Sequence, residues 1–590
     1  MINLKTKGRI RKLENLMGGN LVSKDDAPIL TPDATVDQYD ATIVGTLAWN
    51  KAQIGTDRKE IKILPGTYKL LTSLILPENI YLDLDNGALI KPAAGVSLTV
   101  YSPEHIIAGD VQKIIDSTGN STNPLMFTNA GTFPVNWWGV DDEAAQMAIT
   151  EFGRVPGCHM KFVGAHAWNT GVKLTYANDS QIASKISGWG AKITSTLSSG
   201  RCLEFETGSY TTKLLTLDGL HFVCGGSEDG VVLFDADSDC TKFFFNVTVN
   251  NLFAGGFGGN GLEFEGCFFE SRIYNSDFVA HSTNTTGDCI YFNGVTQFQS
   301  SLSMYECTTR GAKYGVHVAT TREVYITGGT YILAQEEGIY INAARMTVIN
   351  PHLEDNWAGG SSGAGMSFGG SGTIIGLTSQ ADTYDQFYGA NIYIAAAAAY
   401  STGTVQVVGG EWAPSDSTAF IRLTGQDTTT NLILVGNQTV DCIDGKSTVS
   451  RNSSEFYHED VVTVTTGEDD LSSYTVGAYM MPKRSAMRVT SNGIKTGANG
   501  NKTIKFHVGD DAVEVFPAAN NENAWQLDVM LYCIGATISV VWKLLDGAAF
   551  TQGHTAVTQD VSAAFDIKLT GECAHTDDTI TQQNMFVEYL

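Results

Sequence analysis

The chain has 590 residues and a formal net charge of −26, from 37 Lys and Arg against 63 Asp and Glu. With 43% hydrophobic residues and 62 Gly to 13 Pro, it is neither disordered nor collagen-like and carries enough apolar material for large cores. So acidic a balance argues against a nucleic-acid binder, because neutralising phosphate takes clustered Lys and Arg.

Residues 1–30 hold Lys5, Lys7, Arg9, Arg11 and Lys12 beside Ile10, Leu13, Leu16 and Met17 at helical spacing. No uninterrupted apolar run follows the basic residues, so no secretory signal is expected. An attachment segment and a plain amphipathic terminus are the two readings. Residues 31–140 read as a capping region, since an open end of stacked strands exposes its core. A helical stretch with Val44, Leu47 and Ala48 leads into Ile61-Lys62-Ile63-Leu64-Pro65-Gly66-Thr67-Tyr68 and Leu74-Ile75-Leu76-Pro77. Val135-Asn136-Trp137-Trp138-Gly139-Val140 follows. Residues 144–174 then echo the helix-to-strand pattern, with Ala145, Ala148 and Ile149 ahead of Met160-Lys161-Phe162-Val163-Gly164.

From residue 230 a short unit recurs: a small or polar residue, then apolar, variable, apolar. Its first apolar positions are Val231, Leu262, Ile290, Val316, Ile339, Met366, Ile392 and Ile421, in steps of 23 to 31 residues. A period of that size means stacked units. Alternation of period two, punctuated by Gly, Asn and Ser, makes each unit two or three short strands. Second strands are visible around Phe222, Phe278, Tyr331, Leu353 and Trp412. Stacking such coils predicts a right-handed parallel β-helix over 141–450; a propeller blade needs about 40–45 residues, longer than any step here.

After a Ser/Asn-rich stretch at Lys446–Ser454, read as a linker, residues 451–590 show spaced alternating strands that predict a β-sandwich. These strands include Val461-Val462-Thr463-Val464, Thr503–Phe506, Trp525–Tyr532, Ile538–Leu545, Phe565–Leu569 and Phe586–Tyr589. Val529–Leu545 is apolar but broken by Gly535, Thr537, Ser539 and Lys543, so no membrane insertion is expected. Ten Cys with no CxxC pair are expected to be free thiols of a reducing compartment.

The run from Ile63 to Ile90 and the Val135–Val140 motif resemble the opening of pectate-lyase-like β-helices in bacteriophage tailspikes, and the resemblance covers roughly residues 35–450. It implies a homotrimer, assembled in the host cytoplasm and carried on the virion, that joins the phage tail or an adaptor protein through its N-terminus. It further implies a protein that binds or cleaves bacterial capsular polysaccharide or lipopolysaccharide O-antigen, a depolymerase or a non-catalytic receptor-binding spike, with a trimerising or carbohydrate-binding C-terminal domain.

Aligned on its apolar positions, the repeat sets one outward column: Val232, Glu263, Tyr291, His317, Tyr340, Ser367, Tyr393 and Arg422. With strands about 4.8 Å apart, Glu263 to Tyr340 spans roughly 14 Å, the length of a few sugar rings. The tyrosines offer flat apolar rings suited to sugar stacking, although any solvent-facing strand column favours Tyr and His. Glu263 and Glu265 share one face, next to Tyr291 and Asn293 of the following coil. Hydrolysis of a glycosidic bond needs one protonated and one ionised carboxyl, which makes this pair the candidate catalytic residues. Elimination beside a uronic carboxylate needs a base, and His317 is the candidate. A runner-up locus is the turn column of Glu354, Asp355 and Trp357, comparable with Asp277 and Glu411 and shared by His221 and His352. No cofactor or metal is expected. Gly256–Gly261 matches GxGxxG but precedes a β pattern, and Asp235, Asp237 and Asp239 begin a calcium loop that Cys240 interrupts where Gly is required.

Overall fold

The computed structural model describes residues 29–30 and 35–590, apart from 121, 177–182, 208–211, 295–299, 355, 357–363, 381–389, 396–401, 410, 413–420, 425–428, 436–439, 443–447, 452–453, 464–465, 478–480, 482–484, 520–521 and 535–536. It is all-β, with long sheets of parallel strands consistent with a β-helix. Two compact units divide it, residues 1–257 and 258–590.

In the first unit parallel pairing begins at Ile29–Leu30, which pairs with Lys59–Ile63, and continues through Ile80–Leu84 to Ile106–Ile107. Ile61, Leu82 and Ile106 fall in one column and are buried, so stacked strands already run through residues 31–140. The expected helices form at Leu47–Ile54 and Asp142–Arg154. Between Trp138 and the second helix the backbone turns at Gly139, whose φ of 151° is open only to glycine, and Asp141 caps the helix by accepting from Ala144 N at 2.8 Å. Trp138 is fully buried against Phe127 and Phe133, and its indole N–H donates to Asn123 Oδ1. The tryptophan motif is therefore core. Further on, Leu203 pairs with Val232 and Phe205 with Phe234. This corrects one expectation: Val232 is buried in the column of Leu203, not outward.

In the second unit each coil contributes three strands. Asn260–Glu265, Ser271–Tyr274 and Asp277–Ala280 are followed in register by Ile290–Asn293, Ser301–Tyr305 and Thr308–Arg310. In the next coils the first two strands merge into Val316–Thr327, Ile339–Ile349 and Ala364–Ile375. Leu262, Ile290, Val316, Ile339, Met366, Ile392 and Ile421 are in register down one column, as the repeat predicts. Phe264, Phe292, Val318, Ile341 and Phe368 form the next inward column, all buried. The alternation puts the intervening residue on the other side of the sheet.

Parallel pairing continues to Thr448–Arg451, inside the segment read as a linker, which corrects that reading. Residues 454–590 then form two antiparallel sheets. One contains Ser454–Val462 with Thr579–Tyr589, Ala486–Thr496, Ala524–Cys533, Thr537–Asp546 and Ala549–Thr558; the other contains Glu468–Val476, Phe565–Cys573, Lys502–Val508 and Asp511–Ala519. Val489, Trp525, Leu527, Ile567 and Val587 belong to one core drawn from both sheets, as in a sandwich.

Seven described cysteines are free thiols. Cys240 and Cys267 are disulfide-bonded, which corrects the expectation that every cysteine is free. Among the described residues, no helix is long and apolar enough to cross a membrane.

Candidate functional site

The predicted column exists in the second unit: Glu263 pairs with Tyr291, Tyr291 with His317, His317 with Tyr340, and Tyr340 with Ser367. Its centre is His317. The imidazole Nδ1 lies 2.7 Å from Asp288 Oδ2, and its ring meets Tyr291 at 5.1 Å, Tyr314 at 4.6 Å and Tyr340 at 5.1 Å. Tyr314 and Tyr340 also pack on one another at 5.5 Å. Three phenol rings thus enclose one imidazole that a buried carboxylate holds.

Asp288, Tyr314 and Glu337 all stand two residues ahead of their coil's first inward residue, before Ile290, Val316 and Ile339. From there each reaches the outward residue of the following coil. Asp288 bonds His317, Tyr314 packs on Tyr340, and Glu337 Oε1 accepts from the Ser367 hydroxyl at 2.9 Å. The residue between is small or inward: Cys289 is buried with its sulfur near the Phe278 and Arg310 carbonyls, and Gly315 and Gly338 take the same place. Asn260, at the equivalent position one coil earlier, accepts from the Asp288 backbone N–H at 2.8 Å. The second row of the site is therefore built by the turn residues entering each strand, which the apolar alternation alone does not mark.

Burial pushes the Glu337 carboxyl above its ordinary value, the Ser367 hydroxyl opposes this, the charge of neighbouring Glu336 adds to it, and His317 draws it back. Glu337 and His317 are thus electrostatically linked. Burial also raises the Tyr291 phenol, with the charges of Glu265, Asp288 and Glu263 behind it. Tyr314 is raised by burial and by its contact with Glu336, and Tyr340 by burial and Glu337. Asp288 Oδ2 is engaged with His317, while its Oδ1 is buried with no hydrogen-bond partner. The nearby cation is Lys313, whose Nζ stands 4.9 Å over the Tyr314 ring and 3.8 Å from Glu336.

Of the predicted catalytic carboxylates, Glu263 is only 3% exposed, whereas the outward column predicts an accessible group. Glu265 is half-buried and pairs with Asn293, where the strand pairing to the following coil shifts register. Tyr393 lies in register with Ser367 and Arg422, but its side chain is outside the described residues, as are Asp355 and Trp357. Glu354 is described; His352 Nε2 lies 3.3 Å from its Oε2. His352 shares a column with Thr330, Thr378 and Glu411, away from His317.

The arrangement can hold a sugar ring against phenols and move protons at an imidazole and at a carboxyl with raised pKa. The class this defines is an all-β protein of long parallel sheets with an acid–base face of carboxylate, imidazole and phenol groups. No protein-family model matches the chain, and no curated protein matches it. Solved structures of phage tailspikes are similar to it. The gp42 tailspike of Acinetobacter phage vb_AbaP_AS12 is 12% identical, with 72% of this chain and 82% of that chain covered at a TM-score of 0.37. The Dettilon tailspike protein is 10% identical over 99% of this chain and 100% of that one, at 0.29. The enzymatically active domain of tailspike protein 4 of bacteriophage CBA120 is 12% identical over 78% and 68%, at 0.29.

Proposed function

We propose that this protein is a phage tailspike that binds a bacterial surface polysaccharide, capsular or O-antigen, and cleaves its internal glycosidic bonds on the His317 face. The observation that carries the reading is the Asp288–His317 pair enclosed by Tyr291, Tyr314 and Tyr340 beside the raised carboxyl of Glu337. The sequence resemblance of residues 63–90 and 135–140 supports the viral setting, and with it a homotrimer attached to the tail or an adaptor through the N-terminus.

Hydrolysis is the favoured chemistry. Asp288 fixes His317 so that its other nitrogen can take a proton from the attacking water, and Glu337 gives a proton to the departing sugar oxygen. This assigns the acid to Glu337 in place of Glu263 or Glu265. Glu263 is buried, and three strand spacings, about 14 Å, separate its coil from that of Glu337, beyond the reach of a carboxyl pair. Glu265 and Asn293 extend the face toward the next sugar, and Tyr291 and Tyr340 stack on it.

A second reading rests on the same imidazole among phenols. His317 abstracts the proton beside a uronic carboxylate, and Lys313 partly neutralises that group. One experiment separates the readings: incubate the protein with polysaccharide from a sensitive strain and follow chain length, reducing ends and ultraviolet absorbance together. Hydrolysis shortens the polymer without new absorbance, elimination shortens it with absorbance, and unchanged length with retained binding leaves a non-catalytic adhesin.

A further inference from the structure

Further along the strands that carry His317 and Tyr340, the sheet forms a second recess. Arg272, Ser303, Tyr325 and Thr347 lie in register across four coils, and beside them Ser301, Glu323 and Arg345 lie in register across three. On the coil Ser301–Tyr305 both rows hold serine, so that coil is low. The coils on either side carry long side chains. Arg272 is paired with Glu270 at 2.5 Å on one wall, and Arg345 with Glu323 at 3.3 Å beside Tyr325 on the other. The result is a cleft of about 360 Å³ lined by these residues.

Its walls stand two strand spacings apart, roughly 9.6 Å, enough for one sugar ring between them. The floor offers the Ser301 and Ser303 hydroxyls. At the edge Tyr274 stacks on Tyr305 at 4.9 Å and 9°, and Tyr305 meets Tyr325 at 5.9 Å. The two guanidinium and two carboxylate groups cancel in charge, which disfavours a phosphate or a polyanion. They suit a polyhydroxylated ligand, whose hydroxyls donate to carboxylates and accept from guanidinium groups. Tyr325, 37% exposed, offers a ring face for the apolar side of a sugar.

We propose that this cleft is a second carbohydrate-binding site, which holds neutral sugar units of the same polymer that reaches the His317 face. The assignment rests on the functional reading above and extends it: a chain long enough to pass the register shift between Val318 and Thr321 engages both faces, so affinity rises with chain length.

The test uses the full protein carrying His317→Ala, so that bound polymer is not cut. The probe is fluorescently labelled fragments made by mild acid hydrolysis of surface polysaccharides purified from a panel of bacterial strains. Ser303→Gln fills the low coil and Tyr325→Ala removes the platform; each is expected to weaken binding of long fragments about tenfold, with the melting temperature unchanged. A loss in either variant with unchanged melting supports the site, and parental affinity in both overturns it. If neither wild type nor His317→Ala binds any fragment, the functional reading itself falls, and the second site with it.

Discussion

His317 Nδ1 and Asp288 Oδ2 lie 2.7 Å apart across one coil, with Asp288 buried at the entrance of one strand and His317 outward on the next. Such a carboxylate holds an imidazole in one tautomer and one orientation. On the proposed mechanism Asp288 acts through His317 as a positioning residue. Asp288→Asn keeps the shape but offers His317 an amide; kcat is expected to fall about 100-fold or more with KM little changed. A purely structural role predicts a lower melting temperature with kcat per folded molecule preserved.

On the proposed mechanism Glu337 supplies the pH dependence. Burial raises its carboxyl above the ordinary value of 4.5, so part of it stays protonated at pH values where an exposed glutamate is fully ionised. As a proton donor it is active below its pKa, and the rate is expected to decline as pH rises through that value. Glu337→Gln removes this alkaline limb and lowers kcat by about 10²–10⁴-fold. A pH–rate profile of wild type and variant on the same polysaccharide checks both expectations. An unchanged alkaline limb in the variant assigns the acid to another group.

The coil positions were legible because an inward residue must be apolar at period two, and Leu262 through Ile421 keep that pattern without a break. The tyrosine column followed from it. Val232 misled because Val231, Val232, Leu233 and Phe234 are all apolar, so alternation cannot set their register. The strands Ser271–Tyr274 and Ser301–Tyr305 show only one or two inward apolar residues each, too few to register as a period. Ala549–Thr558 was missed for a related reason: it lies at the end of its sheet, largely exposed, and needs no apolar face. Asp288, Tyr314 and Glu337 sit where turn residues are expected, each followed by a small residue and each reaching the outward residue of the following coil, a signal visible only once the coils are aligned.

The antiparallel region carries its own pH response. Glu468 accepts from Lys505 Nζ at 2.7 Å and the Thr570 hydroxyl at 2.7 Å, and His507 Nε2 lies 2.9 Å away. The bond from Lys505, foremost, holds this carboxyl down at about 2 against an ordinary 4.5. The folded form therefore binds the proton more weakly than the unfolded chain, so the contribution is complete above pH 4.5 and is lost as pH falls toward 2. Melting temperatures of wild type and Glu468→Gln are expected to differ at neutral pH and to converge in acid. Curves that stay parallel down to pH 2 exclude Glu468 as the source.

Phe292 links the core to the site. It follows Tyr291 in the chain, is fully buried, and packs on Phe264 at 5.5 Å and Phe268 at 5.7 Å. Phe292→Ala deletes a ring the surrounding coils cannot fully close around, at a cost of about 3–5 kcal/mol, whereas Phe292→Leu retains most of the volume and is expected to cost less. Because the strand Ile290–Asn293 presents Tyr291 on one side and Phe292 on the other, the cavity also loosens the wall that faces His317. Phe292→Ala is therefore expected to lose activity at temperatures well below its own melting transition, while Phe292→Leu loses it only on melting. Unfolding followed by near-ultraviolet circular dichroism, beside initial rates over the same temperatures, distinguishes the two courses; rates that track melting in both variants restrict Phe292 to a structural role.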